Sequence, residues 1–407
     1  MMIDLVKINH HYNTTCAFPI SSNLVNSRPL RIWLLTNAPS PYQAELFTAI
    51  ARDPGIDLNV QFMRSVSSSG VAAASEFRGR TLRRMWPRWF RDEFQLHPQA
   101  IRDVLRGNYD CFILSGLYTS LTFQLCATIL KLMRRPWCVW LERPRSKSRL
   151  SKGPLRKLKN LVLNRTLASA DQVWCIGSLA QQEYKQRAGN TIQTSVLPYC
   201  CDTRRYTNTD TDAVEQVKDR YKLHGQIVFL FSGQLIYRKG VDILLAAFER
   251  VATKHPQVRL LILGDGPLRE SLEQQVSRDL KTSVIFTGYI DQKNLPAHFL
   301  AADVFVFPSR HDGWGVVVNE ACAAGLPIIA TSQTGSVFDL VEEGQSGFLV
   351  ECDNVDELAQ KMALFCEHPE WIKDFGNRSR ELVERFSAEN GAKLFHKNIH
   401  RMLQRIS

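Results

Sequence analysis

The apolar positions of the chain gather into short continuous runs separated by stretches of helical spacing. RIWLLT (31–36), LNVQFM (58–63), YDCFILSG (109–116), WCVWL (137–141) and DQVWCIG (171–177) each hold a strand's worth of mostly apolar residues, and TSVLP (194–198) adds a shorter one. YQAELFTAIAR (42–52), TSLTFQLCATILKLM (119–133) and a basic run ending near 168 predict helices between them. A second series follows. IVFLFSG (227–233), VRLLILG (258–264), VIFTG (284–288), VFVFPS (304–309), LPIIAT (326–331) and GFLV (347–350) are strand-like, and helical stretches intervene from 240, 268, 294, 316 and 356. Strands that are apolar on both faces, alternating with helices, predict parallel sheets covered on both sides.

The expected fold is therefore α/β, with two doubly wound Rossmann-like halves facing each other across a cleft. Residues 1–30 lack periodicity and read as a loose extension. The first half is expected over 31–200, a polar Thr/Asp-rich linker over 201–214 and the second half over 215–386. A last helix over 387–407 has no strand after it and is expected to return to the first half. A length of 407 residues and 44% apolar content agree with two cores rather than one.

Composition narrows the compartment and the chemistry. No 18-residue stretch is apolar and uncharged enough to span a bilayer, and the first residues lack the basic-then-apolar pattern of a secretory signal. The expected location is the cytoplasm. The ten cysteines form no CxxC pair and read as reduced. The ten histidines form no HExxH, and His396 and His400 read as a surface pair, so no metal site is expected. Charge is unequally shared. Residues 1–200 hold 27 Lys+Arg against 12 Asp+Glu, a balance of +15, while residues 201–407 hold 24 against 28, a balance of −4.

Candidate chemistry concentrates in the second half. In an open parallel sheet, ligands sit beyond the carboxyl ends of the strands. The segment SRHDGWGVVVNEACAAG (309–325) follows such an end and opens a helix near Val316. Free N–H groups at a helix start can seat a diphosphate, and Gly313 and Gly315 let the main chain approach closely. Asp312 before the helix and Glu320 within it suit hydroxyl groups on either side of that seat. The plainer alternative makes Asp312 a cap and Glu320 a solvated acid. SGQLIYRKGVD (232–242) brings Arg238 and Lys239 to another strand end, where their charge would meet a leaving diphosphate. GDGPLRE (264–270) is a third glycine turn.

GQLIYRKG, LLILGDGPLRE, VIFTGYI and FVFPSRHDGWGVVVNEACAAGLPIIAT, in this order and spacing, resemble glycosyltransferase family 4. TGSVFDLVEEGQSGFLV and LPYCCDTRRY continue the likeness, which is strongest over 226–360. The resemblance implies the GT-B fold and transfer of a hexose, with retention, from a UDP- or GDP-linked donor without a metal. It implies that Asp312 holds the donor hexose, Glu320 the ribose and Lys239 the diphosphate, with Arg238 beside it. It places Gly233, Gln234, Gly264 and Gly266 at the donor phosphates, and Thr287, Gly288 and Tyr289 at the base. Gly313, Trp314, Gly315 and Val316 would offer N–H groups to phosphate or sugar. Asp312 departs from the family's usual Glu, and Gln234 from its usual Arg. The family's early glycine pair is replaced by NAPSPYQ, whose Asn37, Pro41 and Tyr42 are the acceptor-side candidates.

The basic half adds a partner. FRGRTLRRMWPRWFRDEF (77–94) interleaves six arginines with two tryptophans and three phenylalanines, and residues 134–165 hold eleven Lys+Arg and a single acid, Glu142. Cations beside aromatic rings suit an anionic membrane surface, and no nucleic-acid module accompanies them. The combined reading is an enzyme peripheral to the cytoplasmic face of the inner membrane, acting on a polyprenyl-linked or glycan acceptor in cell-surface polysaccharide assembly. The alternatives are a soluble transferase for a small molecule or storage glycan, and a non-catalytic sugar-nucleotide-binding protein. A dinucleotide-binding dehydrogenase is disfavoured because no G-x-G-x-x-G follows an early strand.

Overall fold

The structure, a computed structural model, describes residues 28–64, 77–85, 94–144 and 154–406. The bulk of the 1–30 extension and parts of the two basic stretches, 86–93 and 145–153, lie outside the described residues. In the first half the elements run β1 (Leu30–Thr36), α1 (Pro41–Ala51), β2 (Ile56–Phe62), β3 (Arg78–Thr81), α2 (Pro98–Arg106), β4 (Cys111–Ser115), α3 (Leu121–Leu132), β5 (Trp137–Leu141), α4 (Pro154–Ser169), β6 (Gln172–Cys175), α5 (Ser178–Ala188) and β7 (Thr194–Val196). These strands pair in the order β3-β2-β1-β4-β5-β6-β7, each ladder parallel.

The chain then passes through α6 (Arg204–Thr207) and α7 (Thr211–Tyr221), so the polar segment expected as a linker is largely helical. The second half runs β8 (Ile227–Ser232), α8 (Val241–Lys254), β9 (Val258–Leu263), α9 (Arg269–Gln275), β10 (Val284–Gly288), α10 (Leu295–Leu300), β11 (Val304–Phe307), α11 (Val316–Ala324), β12 (Ile328–Thr331), α12 (Val337–Leu340) and β13 (Gly347–Val350). Its parallel sheet has the order β10-β9-β8-β11-β12-β13. Helices α13 (Val355–Glu367), α14 (Glu370–Val383) and α15 (Ala388–Ile406) complete the chain. The two-sheet α/β architecture expected from the apolar runs is the one observed.

Side-chain alternation explains how one sheet divides two cores. Along β1, Ile32 and Leu34 enter one apolar cluster while Trp33 and Leu35 enter the other. β4 repeats this with Cys111 and Ile113 against Phe112 and Leu114, and β5 with Cys138 and Trp140 against Trp137 and Val139. All of these are almost wholly buried. Each large side chain among them stabilises the fold by ~1.5–3 kcal/mol relative to exposure. The first of the two clusters continues through Tyr199, Cys200 and Cys201 into the second half.

The last helix returns to the first half, as its isolation after the final strand predicts. Phe395, Ile399 and Met402 of α15 are buried, and Phe395 meets Trp174 edge-on at 5.4 Å. His396 Nδ1 lies 2.6 Å from Asp53 Oδ2, just past α1. Gly391 sits so close to Cys200 that a Cβ there would stand 2.5 Å from its sulfur. The nine described cysteines are free thiols. Among the described residues, no helix is long and apolar enough to cross a membrane.

Candidate active site

Both sheets reverse their winding at one point, between β1 and β4 and between β8 and β11. Loops leaving adjacent strands at such a reversal part and leave a crevice. The adjacency of β8 and β11 brings 233–240 and 308–315 together although about seventy residues separate them. Lys239 Nζ donates to Asp312 Oδ2 at 2.6 Å, and Arg238 Nη1 donates to the same oxygen at 3.0 Å. Arg238 also donates to the His311 carbonyl at 2.7 Å. Burial raises the Asp312 carboxyl's pKa, but Lys239 and then Arg238 outweigh it, and the net shift is downward. Burial lowers the Lys239 ammonium's pKa, and Asp312 opposes that only in part. The result is a partly buried cation with a carboxylate beside it where the β8 and β11 loops meet.

The main chain closes in around this pair. A Cβ at Gly240, whose φ is +70°, would stand 2.1 Å from the Pro308 carbonyl oxygen, so only glycine lets the β8 and β11 loops meet. Gly315, with φ +86°, opens α11 in the left-handed region. Gly233, Gly264 and Gly288 sit side by side at the ends of β8, β9 and β10: the Gly264 N–H donates to Gly288 O at 2.9 Å, and a Cβ on Gly264 would meet Gly233 O. Gly266 packs as tightly on Leu235. Gln234 is exposed beside them. Thr287 turns its hydroxyl inward, onto the Ile262 and Gly288 carbonyls, rather than toward the cleft.

Glu320 lies four residues into α11 and faces a cavity of about 240 Å³ between the halves. Pro41, Tyr42 and Glu45 of α1 form one wall, and Tyr289, Leu295, Val316 and Glu320 the other. Tyr289 is 75% exposed there. Burial pushes the Glu320 carboxyl up to about 7; Arg205 pulls against this, and Glu45 adds to it. Burial, with the negative charges of Glu142 and Asp312, pushes Tyr42 up to about 12. Asn37 is not brought to this cavity. Its Oδ1 accepts the Leu117 N–H at 3.0 Å, and it lines a separate small cavity with Met63, Arg64 and His97. The Trp314 ring is 1% exposed, donates to Asn319 Oδ1 at 2.9 Å and covers Gly177 of the first half. That side chain joins the halves; its main chain alone remains for a ligand.

Several residues that line the site carry no local signal. Arg205 donates to Glu45 Oε1 at 3.0 Å and to the Gln292 carbonyl at 2.6 Å, tying α1 to the second half beside Glu320. The Asp202 N–H donates to Glu45 Oε2 at 2.8 Å. Tyr199 packs against Tyr42 with ring centroids 4.6 Å apart and planes tilted by 52°, and donates to Glu142 Oε1 at 2.9 Å. Glu142 stood out in the sequence only as the lone acid in a basic stretch. Among the described residues, no cluster of three His, Cys, Asp or Glu could hold a metal ion.

Residues 214–382, which contain all these loops, match the family of glycosyl transferases group 1. That stretch of the second half is thus similar to the group 1 glycosyl transferases. A GDP-mannose-dependent α-(1-6)-phosphatidylinositol monomannoside mannosyltransferase of Mycolicibacterium smegmatis is 32% identical over 205 residues, 48% of this chain and 53% of that protein. The sulfoquinovosyl transferase SQD2 of Arabidopsis thaliana is 32% identical over 37% of this chain and 29% of its own length. The chain thus spans about half the length, or less, of these curated relatives. Anabaena Alr3699/HepE, solved in complex with UDP, superposes over 91% of this chain and 100% of its own with a TM-score of 0.76 at 21% identity. Sucrose-phosphate synthase of Thermosynechococcus elongatus superposes over 93% and 100% with a TM-score of 0.70. The matched stretch is accordingly part of the second half of a GT-B fold that runs through nearly the whole chain.

Proposed function

We propose that the protein is a retaining hexosyltransferase that takes its sugar from a nucleotide diphosphate donor and delivers it to a lipid-linked or glycan acceptor. The observation that carries this reading is the Lys239–Asp312 pair at the junction of the β8 and β11 loops, just before the N-terminus of α11. Lys239, Arg238 and the N–H groups of Gly313–Gly315 would meet the diphosphate, where negative charge grows as it leaves. Donors placed there lower the barrier because they act on charge that develops in the transition state. Both cations use Asp312 Oδ2, so Oδ1 is the oxygen that would accept a hexose hydroxyl. Glu320 would take the ribose hydroxyls, with Tyr289 over the base. No protein nucleophile is assigned; in same-face transfer the departing phosphate receives the acceptor's proton.

The acceptor class rests on the opposite half. Leu125 and Leu132 of α3, Met133 just after it, and Leu158 and Leu161 of α4 are exposed; Leu132 reaches 78%. Lys131, Arg134, Arg156, Lys157 and Lys159 stand exposed among them. Apolar side chains ringed by cations suit an anionic leaflet. The phosphatidylinositol-linked acceptor named for the mycobacterial relative supports the same class. The experiment is a screen of UDP- and GDP-hexoses, with and without anionic vesicles carrying polyprenyl phosphate-linked acceptors, read by release of nucleoside diphosphate. Donor-dependent release that rises with the lipid acceptor is expected. Release unaffected by lipid but raised by a soluble sugar would favour the small-molecule reading, and no release with any donor would favour a binding role.

A further inference from the structure

We propose that Glu142, from the first half, is a specificity-determining contact to the transferred hexose, closing on the sugar from the side opposite Asp312. This rests on the donor seat proposed above. β5 ends at Leu141, so its carboxyl end delivers Glu142 straight into the cleft. A Cβ added to Gly313 would stand 2.5 Å from Glu142 Oε2, so the carboxylate reaches the loop that carries Asp312. Its other oxygen, Oε1, accepts the Tyr199 hydroxyl at 2.9 Å, and its main-chain carbonyl accepts the Tyr184 hydroxyl at 2.7 Å. Tyr199 and Tyr184 are both buried, so the residue is held at two points while its side chain stays exposed.

A fixed anion in this position is poorly suited to a diphosphate, which it would repel, and well suited to neutral hydroxyls, which donate to it. The chemistry of the two walls is therefore divided. Lys239, Arg238 and the α11 N-terminus serve the anionic part of the donor, and Glu142 with Asp312 serves the uncharged sugar. Tyr199, which holds Glu142 Oε1, also packs against Tyr42 with ring centroids 4.6 Å apart, so the carboxylate stands beside the α1 wall of the cavity. A site that hydrogen-bonds a substrate hydroxyl discriminates strongly against sugars that lack it or present it on the other face.

The division gives a test that a merely structural role does not pass. Binding of UDP-glucose and of GDP-mannose is measured by calorimetry on the full chain, each beside its free nucleoside diphosphate. The expected result is that E142A binds the preferred nucleotide sugar at least 10-fold more weakly than the wild type but the free diphosphate within 2-fold. E142Q, of the same shape, should fall between them, and Y199F, which releases Oε1, should lose 2- to 5-fold for the sugar donor alone. Thermal unfolding checks that each variant folds; should E142A melt early, the comparison rests on E142Q. Equal weakening of both ligands, or of neither, overturns the assignment of Glu142 while leaving the donor seat intact. Failure of the wild type to bind any of the four ligands overturns the seat and this inference together.

Discussion

The two halves reach the cleft by different means. The second half presents main chain: glycines at the ends of β8, β9 and β10 and at the start of α11 let carbonyls and N–H groups crowd together, with the partly buried Lys239 beside Gly233. The first half presents side chains: Tyr42, Glu45 and Glu142 project from α1 and β5, and exposed leucines and lysines cover its outer helices. A wall built of main chain changes little with sequence and suits a group common to many donors. A wall built of long side chains sets what is brought to that group. The charge balance of +15 over residues 1–200 against −4 over the rest follows the same division.

Removing the partly buried Lys239 strikes the comparison hardest. On the proposed function K239A would deprive the leaving diphosphate of its charge partner, and it leaves Asp312 with Arg238 alone. Turnover by nucleoside diphosphate release should fall on the order of 10²–10³-fold, with the fold retained by circular dichroism. Less than a 3-fold loss would remove Lys239 from the site.

Glu320 is the next largest lever. Its carboxyl is pushed up to about 7 by burial, so near neutral pH it is partly protonated. If Glu320 holds the ribose as proposed, the hydroxyls would donate to its ionised form, so nucleotide binding should release a proton. Affinity for the free diphosphate should therefore weaken as pH falls below about 7 and level off above it. E320Q should be weaker by about 1–3 kcal/mol and lose that pH dependence. A wild-type profile flat from pH 5.5 to 8 would contradict the assignment. In the ligand-free protein the sign runs the other way for stability. The folded state holds this proton more tightly than the unfolded chain, so the contribution of Glu320 declines as pH rises from about 4.5 toward 7.

The outer face of the first half offers a smaller effect that the second half should not share. Replacing Lys157 and Lys159 by glutamine should weaken sedimentation with anionic vesicles by ~10–30-fold, at about 1 kcal/mol per charge. Turnover with a soluble donor should be unchanged. Equal binding to neutral and anionic vesicles would remove the membrane reading. Smallest is the tie that returns α15 to α1: H396A loses a half-buried pair with Asp53 and should cost about 0.5–1 kcal/mol of stability, read as a slight drop in melting temperature with turnover intact.

What the sequence disclosed follows from how local its signals are. Most strands of both sheets were legible because they are continuous apolar runs, and α15 because it is a helix with no strand after it. β3 was not, since RGRT holds no apolar residue and becomes a strand only by pairing with β2 and by the contacts of Arg78 with Asp57 and Arg80 with Asp103. Asp312, Glu320 and Lys239 were legible because each sits beside a strand end and a glycine turn. Arg205 and Glu45 were not, because their pairing spans 160 residues and depends on how the halves dock. Trp314 was read for its N–H group, and its ring proves to be packed between the halves. Asn37 was grouped with Pro41 and Tyr42 by sequence nearness alone; its hydrogen bond to Leu117 turns it to another cavity.

The central claim is that the diphosphate of a sugar donor rests where the β8 and β11 loops meet. A crystal structure of the full chain with UDP or GDP tests this most directly. The account predicts phosphate oxygens within hydrogen-bond reach of Lys239 Nζ and of the Gly313–Gly315 main chain, with the ribose at Glu320. A nucleotide seated instead in the small cavity beside Asn37, or with its phosphates turned away from Lys239, would contradict it.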